Sequence, residues 1–149
     1  INHSLYKTKK LNIIMGAFKS KKIIYGDPSR IPYIAEEIRK SFMSEGFEVR
    51  IVDPNRGNEI YITKGGLFKA ALGLRSALKV VMKPNREGNI DFEAGISIVK
   101  QQFIPTLLTV CVFSPVVIAQ IWGMIKQSKL DEKAIEIAER AMYQYGNNL

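Results

Sequence analysis

The chain reads as an α+β domain: a mostly antiparallel sheet of about five strands, with a helix at 29–45 and a C-terminal helix on one face, plus an apolar helical hairpin at 101–127. Three observations predict it. Stretches with period-two alternation recur between turn signals at 48–53, 59–63, 77–83 and 90–99, the pattern of half-buried strands joined by tight connections. Two other stretches, 31–42 and 130–145, place apolar residues at helical spacing. Between them runs 101–125, QQFIPTLLTVCVFSPVVIAQIWGMI, 25 residues without one charged side chain.

At 149 residues, 46% hydrophobic and 24% charged, the chain is one domain with a real core rather than a disordered polymer. Its net charge of +8 points to an anionic partner, a lipid surface or a nucleic acid. That excess sits in two segments, 1–22 with six lysines and no acid, and 64–86 with six cations and no acid, while the remainder is slightly acidic. Cys111 is the one cysteine, so no disulfide forms within a single chain, and among Val and Phe it reads as a small hydrophobe.

Residues 1–22 read as a basic N-terminal arm without regular structure, and 23–149 as a single α+β domain that includes the apolar region. The arm lacks the apolar core of a secretory signal. Met15-Gly16-Ala17-Phe18-Lys19-Ser20 matches the short N-myristoylation pattern if Met15 initiates, but the pattern is weak, and a solvated basic leader is the reading adopted.

A first strand is expected over 21–25. Asp27-Pro28-Ser29 then opens a helix, because an Asp or Ser side chain can cap free N–H groups and proline is tolerated at a first turn. Ile31, Ile34, Ala35, Ile38 and Phe42 form its inner face, and Gly46 ends it. A hairpin follows, 48–53 and 59–63, around Pro54-Asn55-Arg56-Gly57-Asn58. Residues 67–75 fit either a helical turn or an extended segment. Strands at 77–83 and 90–99 flank the turn at 84–89, and Ile90, Phe92, Ala94, Ile96 and Ile98 give the second strand one apolar face. Ser128-Lys129-Leu130-Asp131 resembles a capping box, with Asp in place of Glu, before the last helix.

As one helix, 101–125 would be about 37 Å long, enough to cross a hydrocarbon core of about 30 Å. Pro115 breaks that helix near its middle. The expectation is therefore two short helices forming a hairpin, with Lys100, Lys126 and Lys129 at headgroup level on one side. Leu107, Leu108, Val112, Phe113, Pro115, Ile118 and Trp122 would make the membrane or partner-helix contact. The alternative surrounds this run with protein, as core or dimer interface.

Catalytic chemistry is missing. One histidine, His3, and one cysteine build no nucleophile–base pair or metal set. Asp91 and Glu93 share a strand face that reads as wet, and Gly65-Gly66 has no Lys-Ser sequel for a phosphate loop. No enzyme activity, metal or cofactor is expected. Lys64, Lys69, Arg75, Lys79 and Lys83 are the candidates for contact with anionic headgroups or phosphates, and no base-stacking motif accompanies them.

Two stretches carry a resemblance. Gly73, Leu74, Arg75, Ala77, Leu78 and Val80, followed by Pro115, Gly123, Lys126, Gln127, Ser128 and Leu130, resemble a group of short uncharacterised bacterial proteins over residues 59–142. That group pairs an α+β module with a Pro-containing apolar region ending in G-x-x-K-Q-S-x-L. It often carries an aromatic two residues after the glycine, where this chain has Ile125. The resemblance implies a bacterial origin and no activity. The expected function is a non-enzymatic accessory or scaffold protein on the cytoplasmic side of a membrane, its partner an anionic membrane surface. The alternatives are a cytoplasmic binding module for an apolar ligand, a protein or a second copy, and, third, a nucleic-acid binder.

Overall fold

A computed structural model describes residues 18–64, 69–70, 74–100 and 115–147. Strands β1 (Lys19–Ile24), β2 (Glu48–Ile51), β3 (Glu59–Thr63), β4 (Lys69–Ala70), β5 (Leu74–Pro84) and β6 (Ile90–Lys100) form one sheet, and α1 (Ile31–Ser44), α2 (Pro115–Gln127) and α3 (Leu130–Asn147) complete the domain. The order across the sheet is β1-β6-β5-β3-β2, every neighbouring pair antiparallel, with β4 beside the start of β5. The α+β architecture read from the sequence is the observed one.

β1 and β2 are opposite edges, so the chain must cross the sheet between them. α1 is that crossing. Its five predicted inner residues, Ile31, Ile34, Ala35, Ile38 and Phe42, are all buried. Asp27 accepts a hydrogen bond from the Ser29 N–H at 2.9 Å, capping the short 3-10 turn Pro28–Arg30 that leads into it. The next connection, 52–58, returns against α1. Gly57 is buried there at φ +64, and a Cβ would lie 2.8 Å from Pro32 Cα, so only glycine fits both the backbone and the space.

β5 and β6 form an 11-residue hairpin pair. The Asn85 side-chain oxygen accepts from the N–H groups of Glu87 and Asn89 and closes its turn. The helix-facing side of the sheet supplies Ile24, Ile60, Ile62, Leu78, Val80, Met82, Ile90, Phe92, Ala94 and Ile96 to the core. At roughly 1.5–3 kcal/mol for each large apolar side chain buried, this layer is the main source of stability. α3 covers it from the β1 side with Ala134, Ile137, Ala138 and Ala141, and packs along α1. The ambiguity at 67–75 resolves toward strand: 69–70 and 74–75 pair as an antiparallel ladder.

Two expectations change. The capping box does not form: α3 begins at Leu130, preceded by Lys129 at φ +55, and the Asp131 carboxylate turns to Ser20 and Lys126 instead. Of the hairpin expected at 101–127, the described residues contain its second helix, α2, while 101–114 lie outside them. No helix among the described residues is long and apolar enough to cross a membrane. α2 has 13 residues, and the 18-residue α3 is charged along its length. Ile118, Ile121 and Ile125 of α2 point into the domain's own core, so the second half of the uncharged run has an inner face committed to the domain.

Candidate interaction surface

The cations singled out from 64–86 do not act as one patch. Lys64, just past β3, donates to the Glu45 carbonyl at 3.3 Å and lies 4.9 Å from the Phe47 ring centre. Lys79, mid-β5, faces the sheet side away from the helices. It pairs with Glu59 at 3.2 Å, and it shares the Tyr61 ring with Arg50, whose guanidinium carbon is 4.8 Å from the ring centre. Tyr61 donates its phenol proton to Glu59 at 2.5 Å. That bond, with the charge of Lys79, holds the Glu59 carboxyl below its usual range. Burial opposes the charge on Lys79, but its bond to Glu59 and the neighbouring negative groups raise its pKa overall. Lys83 is opposite Asp91 in the ladder. On the β1 side, Lys19 and Lys21 both reach Glu93, at 3.4 and 3.8 Å. Neighbouring strands thus supply acids that a count along the chain cannot show.

At one end of the sheet the ladder places no acid beside the cations. β1 pairs with β6 only as far as Gly95, and β3 with β5 only as far as Leu78. Beyond them β5 and β6 continue as a ribbon from Ala77–Ser97 to Leu74–Lys100, about 13 Å at roughly 3.3 Å per residue, with β4 alongside. Lys69 pairs with Arg75, and Lys100 pairs with Leu74. No acid occupies a position in this ribbon or in β4. The uncharged stretch 101–114 follows Lys100 in the sequence. Lys100, read from the sequence as a flank of the uncharged run and not with the basic segment, stands at this same end.

Of the apolar candidates, Leu107, Leu108, Val112 and Phe113 lie outside the described residues, and Pro115 is the first residue of α2. Ile118 is fully buried within the domain, which leaves it no surface for lipid or a partner. Trp122 is half-buried against the core, with the Lys126 ammonium 5.7 Å from its ring centre. The outward positions of α2 are Val116, Ala119, Gln120, Gly123, Met124 and Gln127, all exposed and uncharged.

α2 is locked to the domain at its C-terminal end. Asp131, the one buried charged residue among those described, accepts from Ser20 at 2.5 Å and from Lys126 at 2.8 Å through the same oxygen, Oδ2. Burial pushes the Asp131 carboxyl up, but the two hydrogen bonds and the Lys126 charge outweigh it and hold it below its usual range. The bond to Asp131 in turn raises Lys126.

No group of three or more His, Cys, Asp and Glu side chains among the described residues could hold a metal ion. A shallow cleft of about 310 Å³ lies between α1 and α3, lined by Glu37, Lys40, Ser41, Ile137, Arg140, Ala141 and Gln144. Compared with family models, curated proteins and solved structures, the chain finds no match.

Proposed function

We propose that this protein is a non-enzymatic, membrane-associated accessory or scaffold module that works on the cytoplasmic face, with an anionic lipid surface as its partner. The observation that carries this reading is the convergence at one sheet end. Backbone register places Lys69, Arg75 and Lys100 at the same end of the sheet, Lys100 on the face opposite the other two, and the uncharged residues 101–114 follow Lys100 in the sequence. An apolar segment beside cations suits an interface between hydrocarbon and anionic headgroups, where each Lys or Arg contributes about 1 kcal/mol. A polar, solvated role would not call for 25 consecutive uncharged residues, 101–125, between the cationic flanks Lys100 and Lys126.

Cys111 gives a direct test, because it is the one cysteine and lies within that segment. An environment-sensitive fluorophore on Cys111 should shift to the blue with vesicles containing phosphatidylglycerol, and the protein should float with them. Binding that resists carbonate supports insertion, and release by salt alone leaves only the cationic contact. Absence of both flotation and spectral shift would end the reading.

A second reading is a binding module whose apolar run packs against protein. It is favoured by Ile118, Ile121 and Ile125, which already serve the domain's own core. Under that reading the chain stays with the soluble fraction and its Cys111 probe responds to a protein partner or a second copy. Steep salt-dependent binding to DNA without vesicle binding would instead favour the third alternative.

A further inference from the structure

The three helices treat water differently. α1 carries Glu36, Glu37, Arg39 and Lys40 away from the core, and α3 carries Glu132, Glu136, Glu139 and Arg140. α2 carries no charge at any outward position before Lys126. Val116 is 66% exposed and Met124 37%. Gly123 has nothing within 4 Å of where a Cβ would sit, so the middle of this face is open. A helix whose inner stripe is satisfied by its own core gains nothing in water from an outer stripe of Val, Ala, Gly and Met.

We infer that the outer face of α2 lies flat on the lipid interface, with Val116, Ala119, Gly123 and Met124 toward the acyl boundary. This rests on the membrane-associated reading above and deepens it by naming the contact. Continuity supports it, because α2 directly follows the uncharged segment placed at the bilayer. The composition sets the depth. Gln120 and Gln127 share the outward face, and amides keep water or headgroup partners in the interfacial region that they would lose in hydrocarbon. Lys126 at the end of the helix is already oriented beside Trp122, and an aromatic with a nearby cation suits the headgroup level. α2 therefore neither crosses nor dips, and its inner face keeps the domain seated on the surface while its outer face meets lipid.

Trp122 is the one tryptophan and is half-buried at the flank of this face, so the full-length wild-type protein reports on the depth of α2 without labelling. With phosphatidylglycerol vesicles, lipids brominated near the glycerol end of the chain should quench Trp122 more than lipids brominated near the methyl end. Val116→Asp with Met124→Asp should weaken vesicle partitioning at least tenfold and leave the thermal unfolding midpoint in buffer unchanged, since both positions are exposed. Two outcomes would overturn the inference while leaving the membrane reading intact: Trp122 unquenched while the Cys111 probe inserts, or aspartates without effect on partitioning. A soluble dimer that the aspartates dissociate would overturn it in favour of a second copy on this face. Failure of both Trp122 and Cys111 to respond to vesicles removes the membrane reading itself.

Discussion

Ser20, near the start of β1, donates its hydroxyl proton to Asp131 in the first turn of α3, 2.5 Å away across 111 positions of sequence. The same carboxylate oxygen receives the Lys126 ammonium. One buried anion therefore ties an edge strand to the junction of two helices. Removing a partner from a buried, hydrogen-bonded charge costs about 3–5 kcal/mol, and losing one hydrogen bond to a charge about 1.5–3 kcal/mol. Lys126→Ala, which leaves the Asp131 carboxylate buried without its cation, should thus destabilise the domain by roughly 3 kcal/mol and Ser20→Ala by about half of that, read from chemical denaturation midpoints. A Lys126→Ala protein as stable as wild type would show that the ion pair contributes nothing.

Acid should loosen the fold through the same group. Asp131 and Glu59 both have folded pKa values below their unfolded ones. Their contribution is present above the usual carboxylate range near about pH 4 and is lost as pH falls through the lower folded values. A stability–pH curve should be flat near neutrality and fall below about pH 4. Asp131→Asn should be less stable at neutral pH and show a shallower fall in acid.

Lys129 holds φ +55 at the junction of α2 and α3. A left-handed backbone costs a residue with a Cβ about 1–2 kcal/mol, and glycine escapes that cost. Lys129→Gly should raise stability by roughly 1 kcal/mol and sharpen thermal unfolding to a higher midpoint.

Gly57 and Gly88 separate backbone strain from lack of space. Both have positive φ, but a Cβ at Gly88 meets nothing within 4 Å while one at Gly57 meets Pro32 and Ala35. Gly88→Ala should cost about 1 kcal/mol for the backbone alone. Gly57→Ala should cost clearly more in the same denaturation series, because the 52–58 connection must lift away from α1.

Charge removal should matter according to neighbours in space. Arg75→Gln and Lys100→Gln should each lower affinity for phosphatidylglycerol vesicles about fivefold, from roughly 1 kcal/mol per cation. Lys79→Gln should change it by about twofold or less, since Glu59 already neutralises that lysine. Equal losses at all three positions would contradict this division of the basic segment.

Much of the fold was legible because it depends on local periodicity. Ile60 and Ile62, or Ile90 to Ile96, alternate whatever their partners are, and the α1 stripe needs only its own spacing. Element ends were less legible. β1 starts at Lys19 because Gly95 gives Lys19 room to pair, a fact about β6. The candidate site was legible in parts: the uncharged run, its flank Lys100 and the basic segment are visible in the sequence, but the place of Lys100 at the same sheet end as Lys69 and Arg75, and the outward positions of Val116 and Met124, came only through the register of β5 and β6 and the orientation of α2.

By itself, the sequence determined the α+β class, the amphipathic helices and the one long uncharged run. Tertiary structure alone decided which lysines are neutralised, through Glu59 and Glu93 on neighbouring strands, and which keep no acid beside them in the ladder. It also divided the uncharged run, committing Ile118, Ile121 and Ile125 to the core and leaving Val116 and Met124 outside. The physical reason is range. Periodicity acts over a few residues, whereas an ion pair such as Lys19–Glu93 or a bond such as Ser20–Asp131 exists only once the chain has brought distant residues together.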